Sequence, residues 1–373
     1  MNHRVGRFGR QEAVSLTALS GVINGFFAVD NAAAFQHGNV QYLTSLLGAV
    51  FAWLLLEWTV YSMRRVGART LHELLSALLG SVGASVASVV LLVALCLAAA
   101  LPLLQLLIAL SQFIFVDAEY VNILLYFLLP ILLLVFFGME TLARMSRLFF
   151  PIVLIGTLFA LLTGFPAYRT FRLYPLAFAP KTVLGQTLSA TFRFVPSVLL
   201  LLIGADALQG LQNVRFCGRM GLGMAGGLVA LTKLCLGLSY AYSDLRGMSA
   251  PLYRLILEVR TEDPALRADR LIMFLWVMGG IVAAASYLYA ASLLFVRSYR
   301  VGDVRPIGAI LSCMTILAVL SVFCSMEETV SLLKGIYRYG WTLAVNPLVL
   351  VNLIGLFRRK EKPVCGERSS CCC

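Results

Sequence analysis

Apolar residues along this chain come in long blocks that polar residues interrupt only briefly. The blocks cover residues 11–35, 40–61, 82–115, 119–137, 148–165, 188–210, 220–242, 270–296, 306–324 and 340–357. An α-helix rises about 1.5 Å per residue, so each block approaches or exceeds the length that crosses a hydrocarbon layer of about 30 Å. The pattern therefore predicts ten membrane-spanning helices. The third block holds Pro102. At roughly 34 residues it is too short for two spans and a turn, so it reads as one tilted helix kinked at the proline.

Composition agrees with this pattern. Of 373 residues, 60% are hydrophobic and 13% charged, against about 25% charged in an ordinary soluble domain. So few charges cannot cover a soluble protein's surface, which excludes an ordinary soluble enzyme. A net charge of +12 would fit a nucleic-acid binder only if basic residues gathered on one face with aromatics among them. They lie instead between the apolar blocks. Eighteen, including Arg64, Arg65, Arg69, Arg297, Arg300 and Arg305, fall in one set of alternate connections and ten in the other. The positive-inside rule then predicts that both termini are cytoplasmic. A cleaved signal peptide is the competing reading of the first block, but Ser20, Gly21, Asn24 and Gly25 interrupt its core, which favours a retained first helix.

Enzyme signatures are absent: there is no nucleotide-binding glycine loop, no HExxH and no G-x-S-x-G. His3, His37 and His72 fall in connections or at block ends, and the nine cysteines have no zinc-site spacing. Cys96, Cys217, Cys235 and Cys313 lie in or beside blocks, where a thiol behaves as a small apolar group. Cys365, Cys371, Cys372 and Cys373 belong to a polar tail, read as unstructured and reduced. No cofactor or metal is expected.

Two blocks are interrupted near their centres, the first at Ser20-Gly21-Val22-Ile23-Asn24-Gly25 and the sixth at Phe192-Arg193-Phe194-Val195-Pro196-Ser197. Glycine and proline loosen a helix, and backbone groups freed at membrane depth persist only where protein or a water-filled cavity satisfies them. Such half-helix ends bind charged solutes, and paired interruptions in corresponding halves point to a transporter-type site. The candidate ligand-binding residues are therefore Ser20, Gly21, Asn24, Gly25, Phe194, Pro196 and Ser197. The other reading makes Gly21 and Gly25 a small-residue packing face and Pro196 a plain kink.

Charges within blocks mark further candidates, because an unpaired charge at the bilayer centre costs at least about 2.5–3.5 kcal/mol. Asp30 and Arg193 fall at similar depth in their blocks and are candidates for a charge pair. Lys233 lies nearer mid-depth and is a candidate for proton linkage or ligand contact, or for packing through its stem. Glu57 and Asp206 fall at block ends that the arginines flank, where they meet loop arginines or reach the interface. In the loop 243–269, the segment Leu252–Val259 has apolar residues at helical spacing and reads as an interfacial helix, either a gate or a passive surface element.

The segment Gly138–Ile152 (GMETLARMSRLFFPI) resembles the stretch after the fourth helix of the bacterial endospore germination permeases, the B subunits of nutrient germinant receptors. The segments Leu271–Gly280 and Ser286–Ala291 resemble that family's eighth helix. The ten-block layout and the long third block are similar as well. The resemblance implies an all-α integral membrane protein of the amino acid, polyamine and organocation transporter superfamily. Its expected architecture is LeuT-like, with ten helices in two inverted five-helix repeats and helices 1 and 6 broken. In this sequence the repeats are about 11–165 and 188–357, within a single domain of 1–357 followed by a cytoplasmic tail, 358–373. It also implies residence in the inner spore membrane, A-type and C-type receptor subunits as partners, and sensing of a small nutrient such as an amino acid at the two interruptions. The alternative is a secondary active, proton-coupled amino acid transporter.

Overall fold

The structure, a computed structural model, describes residues 8–26, 40–115, 119–174, 180–208, 210–245, 251–258, 268–322, 335–336 and 339–357. Its elements are α1 (Arg10–Phe26), α2 (Gln41–Val66), α3 (Leu71–Phe113), α4 (Tyr120–Phe137), α5 (Met139–Thr163), α6 (Pro180–Ile203), α7 (Leu211–Ser239), α8 (Tyr242–Leu245), α9 (Pro251–Glu258), α10 (Ala268–Tyr299), α11 (Val304–Val322) and α12 (Trp341–Phe357), with short 3-10 turns between some of them. Among the described residues, eight helices are long and apolar enough to cross a membrane: α2 to α7, α10 and α11. Helices α1 and α12 span 17 residues each. Large apolar side chains such as Tyr126, Leu129, Leu133 and Phe137 on α4, and Ile310, Met314 and Leu317 on α11, point outward. Water would not tolerate such a belt, whereas lipid requires it.

Helix boundaries follow local chemistry rather than hydropathy alone. Helix α3 starts eleven residues before its apolar block, because Thr70 accepts from Glu73 N (3.3 Å) while Glu73 Oε2 accepts from Arg69 N (2.7 Å). Gly80, at φ 74 and ψ −179, then separates this opening piece from the spanning part. Pro102 lies within continuous helix. Helix α5 likewise starts early, at Met139, after Gly138 at φ 91 turns the chain. The motif 139–147, expected as a connection, is therefore its first turns. Helix α6 ends at Ile203, so Asp206 sits in the 3-10 turn Ala205–Leu208 rather than inside a span.

The expected breaks in the first and sixth helices are not seen within the described residues: α1 is helical through Ser20–Gly25 and α6 through Phe192–Ser197. Glycine keeps its N–H and can stay in a helix where packing compensates its flexibility, and proline removes only one ladder bond. Here Gly21 and Gly25 admit α7. A Cβ at Gly21 would lie 3.0 Å from Ala225 Cβ, and one at Gly25 would strike both methyls of Val229. Gly221 of α7 answers with its own bare face against Thr17 (2.7 Å to Thr17 Cβ). The glycines thus form a close seam between parallel helices.

Packing divides the helices into two groups. Helices α1, α2, α6 and α7 pack on one another, with Gly48 of α2 against the Ala190–Thr191 backbone of α6 and Gly226 of α7 against Ala49. Helices α3, α4, α5, α10 and α11 form the second group, centred on α10. The groups meet where α1 and α6 touch α10 and where α1 touches α5. The end of the bundle that carries the start of α1, the α2–α3 turn and the α10–α11 turn is called the near face below. The end that carries α9 and the α5–α6 connection is the far face.

Candidate functional site

The two expected segments come together at the interface between the groups. In α1, Thr17, Ser20, Gly21 and Asn24 share one face by their three- and four-residue spacing, and Ser20 and Asn24 are buried. In α6, Ser197 lies opposite them, fully buried. From α10, Tyr287 completes the cluster, also fully buried. Asn24 Nδ2 donates to Tyr287 Oη (2.8 Å), and Tyr287 Oη donates to the Ser20 carbonyl (3.0 Å). Ser197 Oγ lies 3.1 Å from Tyr287 Oη, and Ser20 Oγ donates to Ser197 Oγ (3.0 Å), with Thr17 O a second acceptor at 3.1 Å.

Because the phenol proton is used on the Ser20 carbonyl, one ordering satisfies all members. Ser20 hydroxyl donates to Ser197, Ser197 to Tyr287, and Tyr287 back to the Ser20 backbone, a closed ring that Asn24 supports from the side. In a dry interior such chains strengthen one another, and each unmade bond would be costly. The ring offers hydroxyl and carboxamide groups that both donate and accept, and its members carry no net charge. That chemistry suits exchange with a neutral or zwitterionic solute.

Phe194 is buried beside the ring, its Cδ1 3.6 Å from where a Gly21 Cβ would stand, whereas Phe192, also buried, packs on Gly340, its Cε1 3.0 Å from where a Cβ would stand there. Pro196 is within α6, next to Ser197. Gly21 borders the ring through Ser197 Oγ, 3.5 Å from its notional Cβ, whereas Gly25 faces Val229. Arg193 lies one turn before Ser197 on the same face of α6 and is 6% exposed. Lys233 lies one turn beyond Val229 on α7 and is 4% exposed. Asp30, the proposed partner of Arg193, lies outside the described residues, as do the tail cysteines.

Tyr287 was not among the sequence candidates, although Ser286-Tyr287 are polar atoms inside an otherwise apolar block, a signal of the same kind as Ser20 and Asn24. Trp276 and Thr157 were missed too. Trp276 Nε1 donates to Thr157 Oγ1 (3.2 Å), tying α10 to α5, and its ring lies 6.2 Å from that of Phe26. These aromatics lie between the ring and the far face.

Both faces carry ordered polar contacts. On the near face, Glu57 of α2 accepts from Arg215 and Arg219 of α7 and from Trp53 Nε1 (3.3 Å), with Arg219 stacked 5.8 Å above the Trp53 ring. The arginines sit in the first turns of α7, not in a loop. Replacing Glu57 with Gln should lower the thermal midpoint of the detergent-solubilised protein by a few degrees while leaving it inserted. An unchanged midpoint would mean that the cluster adds nothing to stability, as for many exposed ion pairs. On the far face α9 lies across the ends of α3 and α5. Tyr253 stacks 5.0 Å from Phe113, and Leu255 fills the space left by Gly164. Tyr168 is half-buried in the α5–α6 connection, which pushes its phenol above the usual range so that it stays a donor to Leu161 O (2.5 Å).

The fold is that of a class of solute transporters. A sodium-coupled sialic acid symporter solved substrate-bound and outward-open aligns with TM-score 0.71 at 13% identity, covering 94% of this chain and 79% of that one. A nucleobase-cation-symport-1 family transporter, closed with bromovinylhydantoin bound, aligns at 0.62 and 12% identity, covering 92% and 81%. A manganese transporter of Eremococcus coleocola aligns at 0.63 and 12%, covering 91% and 78%. At such identities the likeness establishes the LeuT-type fold alone. No curated protein matches the sequence itself. The family model for spore germination protein matches residues 10–331, and the chain belongs to that family of permease-like membrane proteins.

Proposed function

We propose that this chain is the membrane subunit of a spore germinant receptor, sensing a small nutrient such as an amino acid where α1, α6 and α10 meet. One observation carries the reading. The neutral ring of Ser20, Asn24, Ser197 and Tyr287 is the buried polar centre that joins the two helix groups, in a chain of the germination family. A ligand that replaced the ring's internal bonds with its own would change the relation between the groups, and partner subunits would read that change. The A-type and C-type receptor subunits are the partners this reading assigns. It also places the near face in the cytoplasm, with both termini, and the protein in the inner spore membrane. The two inverted repeats, about 11–165 and 188–357, belong to the same reading.

Germination tests it directly. Spores lacking the gene should lose the optical-density drop induced by at least one L-amino acid, and the wild-type gene should restore it. An Asn24→Leu gene should not restore it, although the protein reaches the membrane. Unchanged germination of the deletion with every amino acid would overturn the reading.

A second reading, a secondary active, proton-coupled amino acid transporter, draws on the buried lysine Lys233 beside the α1–α7 seam and on the likeness to a sodium-coupled symporter. Reconstituted vesicles should then accumulate an amino acid under a pH gradient, and flat uptake in both gradient directions would sink it.

A further inference from the structure

Two arginines of the near face share the wall of one cleft. Helix α2 ends at Val66, and Gly67, at φ 79, turns the chain with its N–H bonded to Met63 O. That turn brings Arg64, in the last turn of α2, and Arg69, just ahead of α3, to the same cleft. Glu73 Oε2 accepts from the Arg69 amide (2.7 Å) and so fixes the backbone on that side. The opposite wall is the α6–α7 turn, with Ala205, Asp206, Gly210 and the first residue of α7, Leu211.

Charge in the cleft does not cancel. Asp206 is the one carboxylate among the lining residues, and it is already engaged: Arg297, in the last turn of α10, donates through Nη2 to Asp206 Oδ2 (2.6 Å) and through Nη1 to the Ile203 carbonyl (2.7 Å). Glu57 is held by Arg215 and Arg219, and Glu140 by Arg144. Among the described residues, no carboxylate lies within ion-pair reach of the Arg64 or Arg69 guanidinium. Both arginines are exposed, so their two like charges add nothing to folding. Topology asks for arginines on this face, but not for two of them in one cleft wall.

The shape suits an anion larger than a simple ion. The cleft holds about 540 Å³. Gly67 and Gly210 both have positive φ, and a Cβ at either would meet nothing within 4 Å, so bare backbone borders open space on both sides. Tyr61, one turn before Arg64 on α2, is exposed where the apolar belt gives way to arginines, the depth of the headgroup layer in a bilayer. A guanidinium fork matches the oxygens of a phosphoryl group two at a time, and a tetrahedral phosphate has enough oxygens for two forks at once, whereas a carboxylate is filled by one.

We propose that the cleft between the α2–α3 and α6–α7 turns is a binding site for a phosphoryl group, held by Arg64 and Arg69. An anionic phospholipid headgroup and a soluble phosphate share this chemistry. The site lies apart from the ring of Ser20, Asn24, Ser197 and Tyr287, and it stands whether that ring takes a nutrient or not.

The test is the thermal midpoint of the full-length, delipidated protein in detergent, titrated with phosphatidylglycerol against phosphatidylcholine, and separately with inorganic phosphate against sodium chloride of equal ionic strength. Phosphatidylglycerol, inorganic phosphate or both should raise the midpoint in a saturable way. A response to the lipid alone assigns the headgroup, and a response to inorganic phosphate assigns a soluble source. Arg64→Gln with Arg69→Gln should raise the half-saturating concentration at least about tenfold, the scale of lost charge-assisted bonds, and leave the midpoint in phosphatidylcholine unchanged. Leu211→Asp should weaken the response as well. It sets a carboxylate in the cleft at a helix start, where negative charge is tolerated, and it supplies the result if the double variant does not fold. Arg305→Gln, which removes a near-face charge stacked on Phe136 outside the cleft, should leave the response as it is. No response to either probe, an unchanged response in the cleft variants, or an equal loss in Arg305→Gln would overturn the proposal in favour of diffuse surface charge.

Discussion

Tyr287→Phe should lower the thermal midpoint of the detergent-solubilised protein by several degrees without changing its volume or membrane insertion. The substitution removes one oxygen and keeps the ring. It leaves the Ser20 carbonyl without its donor, and Asn24 Nδ2 and Ser197 Oγ without their acceptor, all in a fully buried place. Each such orphan costs about 1–3 kcal/mol before neighbours relax. Coupling then identifies the ring as one unit. Ser197→Ala alone should also destabilise, but the double variant should lose less than the sum, because each single change already breaks the cycle. Strict additivity would show that the ring is a set of separate contacts. If the ring is also where a nutrient exchanges, Tyr287→Phe should shift the amino acid concentration needed for germination, a change that a merely destabilised protein would show only as reduced amount.

Gly25→Leu should be the most damaging single change on α1. A Cβ there already stands 2.9 Å from Val229 Cγ1 and closer still to Cγ2, so a branched side chain must push α1 off α7. Overpacking of this kind costs about 1–3 kcal/mol or more where a backbone must shift. The expected result is a sharp loss of folded protein in the membrane. Val229→Ala in the same chain should recover part of it by removing the two methyls that collide. Rescue would show that Gly25 serves the helix seam; no rescue, with folding intact and nutrient response lost, would place Gly25 in the ligand site instead. Gly21 differs, because its notional Cβ meets both Ala225 and the ring serine, so Gly21→Ala should perturb packing and ring together.

The apolar blocks of the sequence were enough for the membrane class, for most of the spans and for their alternation, because hydrocarbon accepts only helices whose faces are apolar and whose backbone is internally bonded. The interruptions at Ser20–Gly25 and Phe192–Ser197 drew attention to Ser20, Asn24 and Ser197 through an expectation of unwound helix, and the structure keeps those stretches helical while pairing the three side chains in one buried cluster. Which partner was beyond the sequence. Tyr287 stands 267 residues from the Ser20 carbonyl it bonds, and only the docking of α10 on α1 and α6 makes it the ring's centre. The same holds for Asp206, which local hydropathy put inside a span and which the end of α6 instead leaves in a turn within reach of Arg297.

Glycine was the residue whose meaning the sequence left most open. The pattern Ser20–Gly25 is compatible with an unwound segment or with a packing seam, because both need a residue without a side chain. The tertiary structure decided for a continuous helix, since α7 brings Ala225 and Val229 against the bare faces of Gly21 and Gly25. Hydropathy is a property of each residue in its own stretch of chain, and that is enough to say what must be buried in lipid. Close approach and hydrogen-bond pairing are properties of two distant stretches at once, and they exist only when the helices have packed.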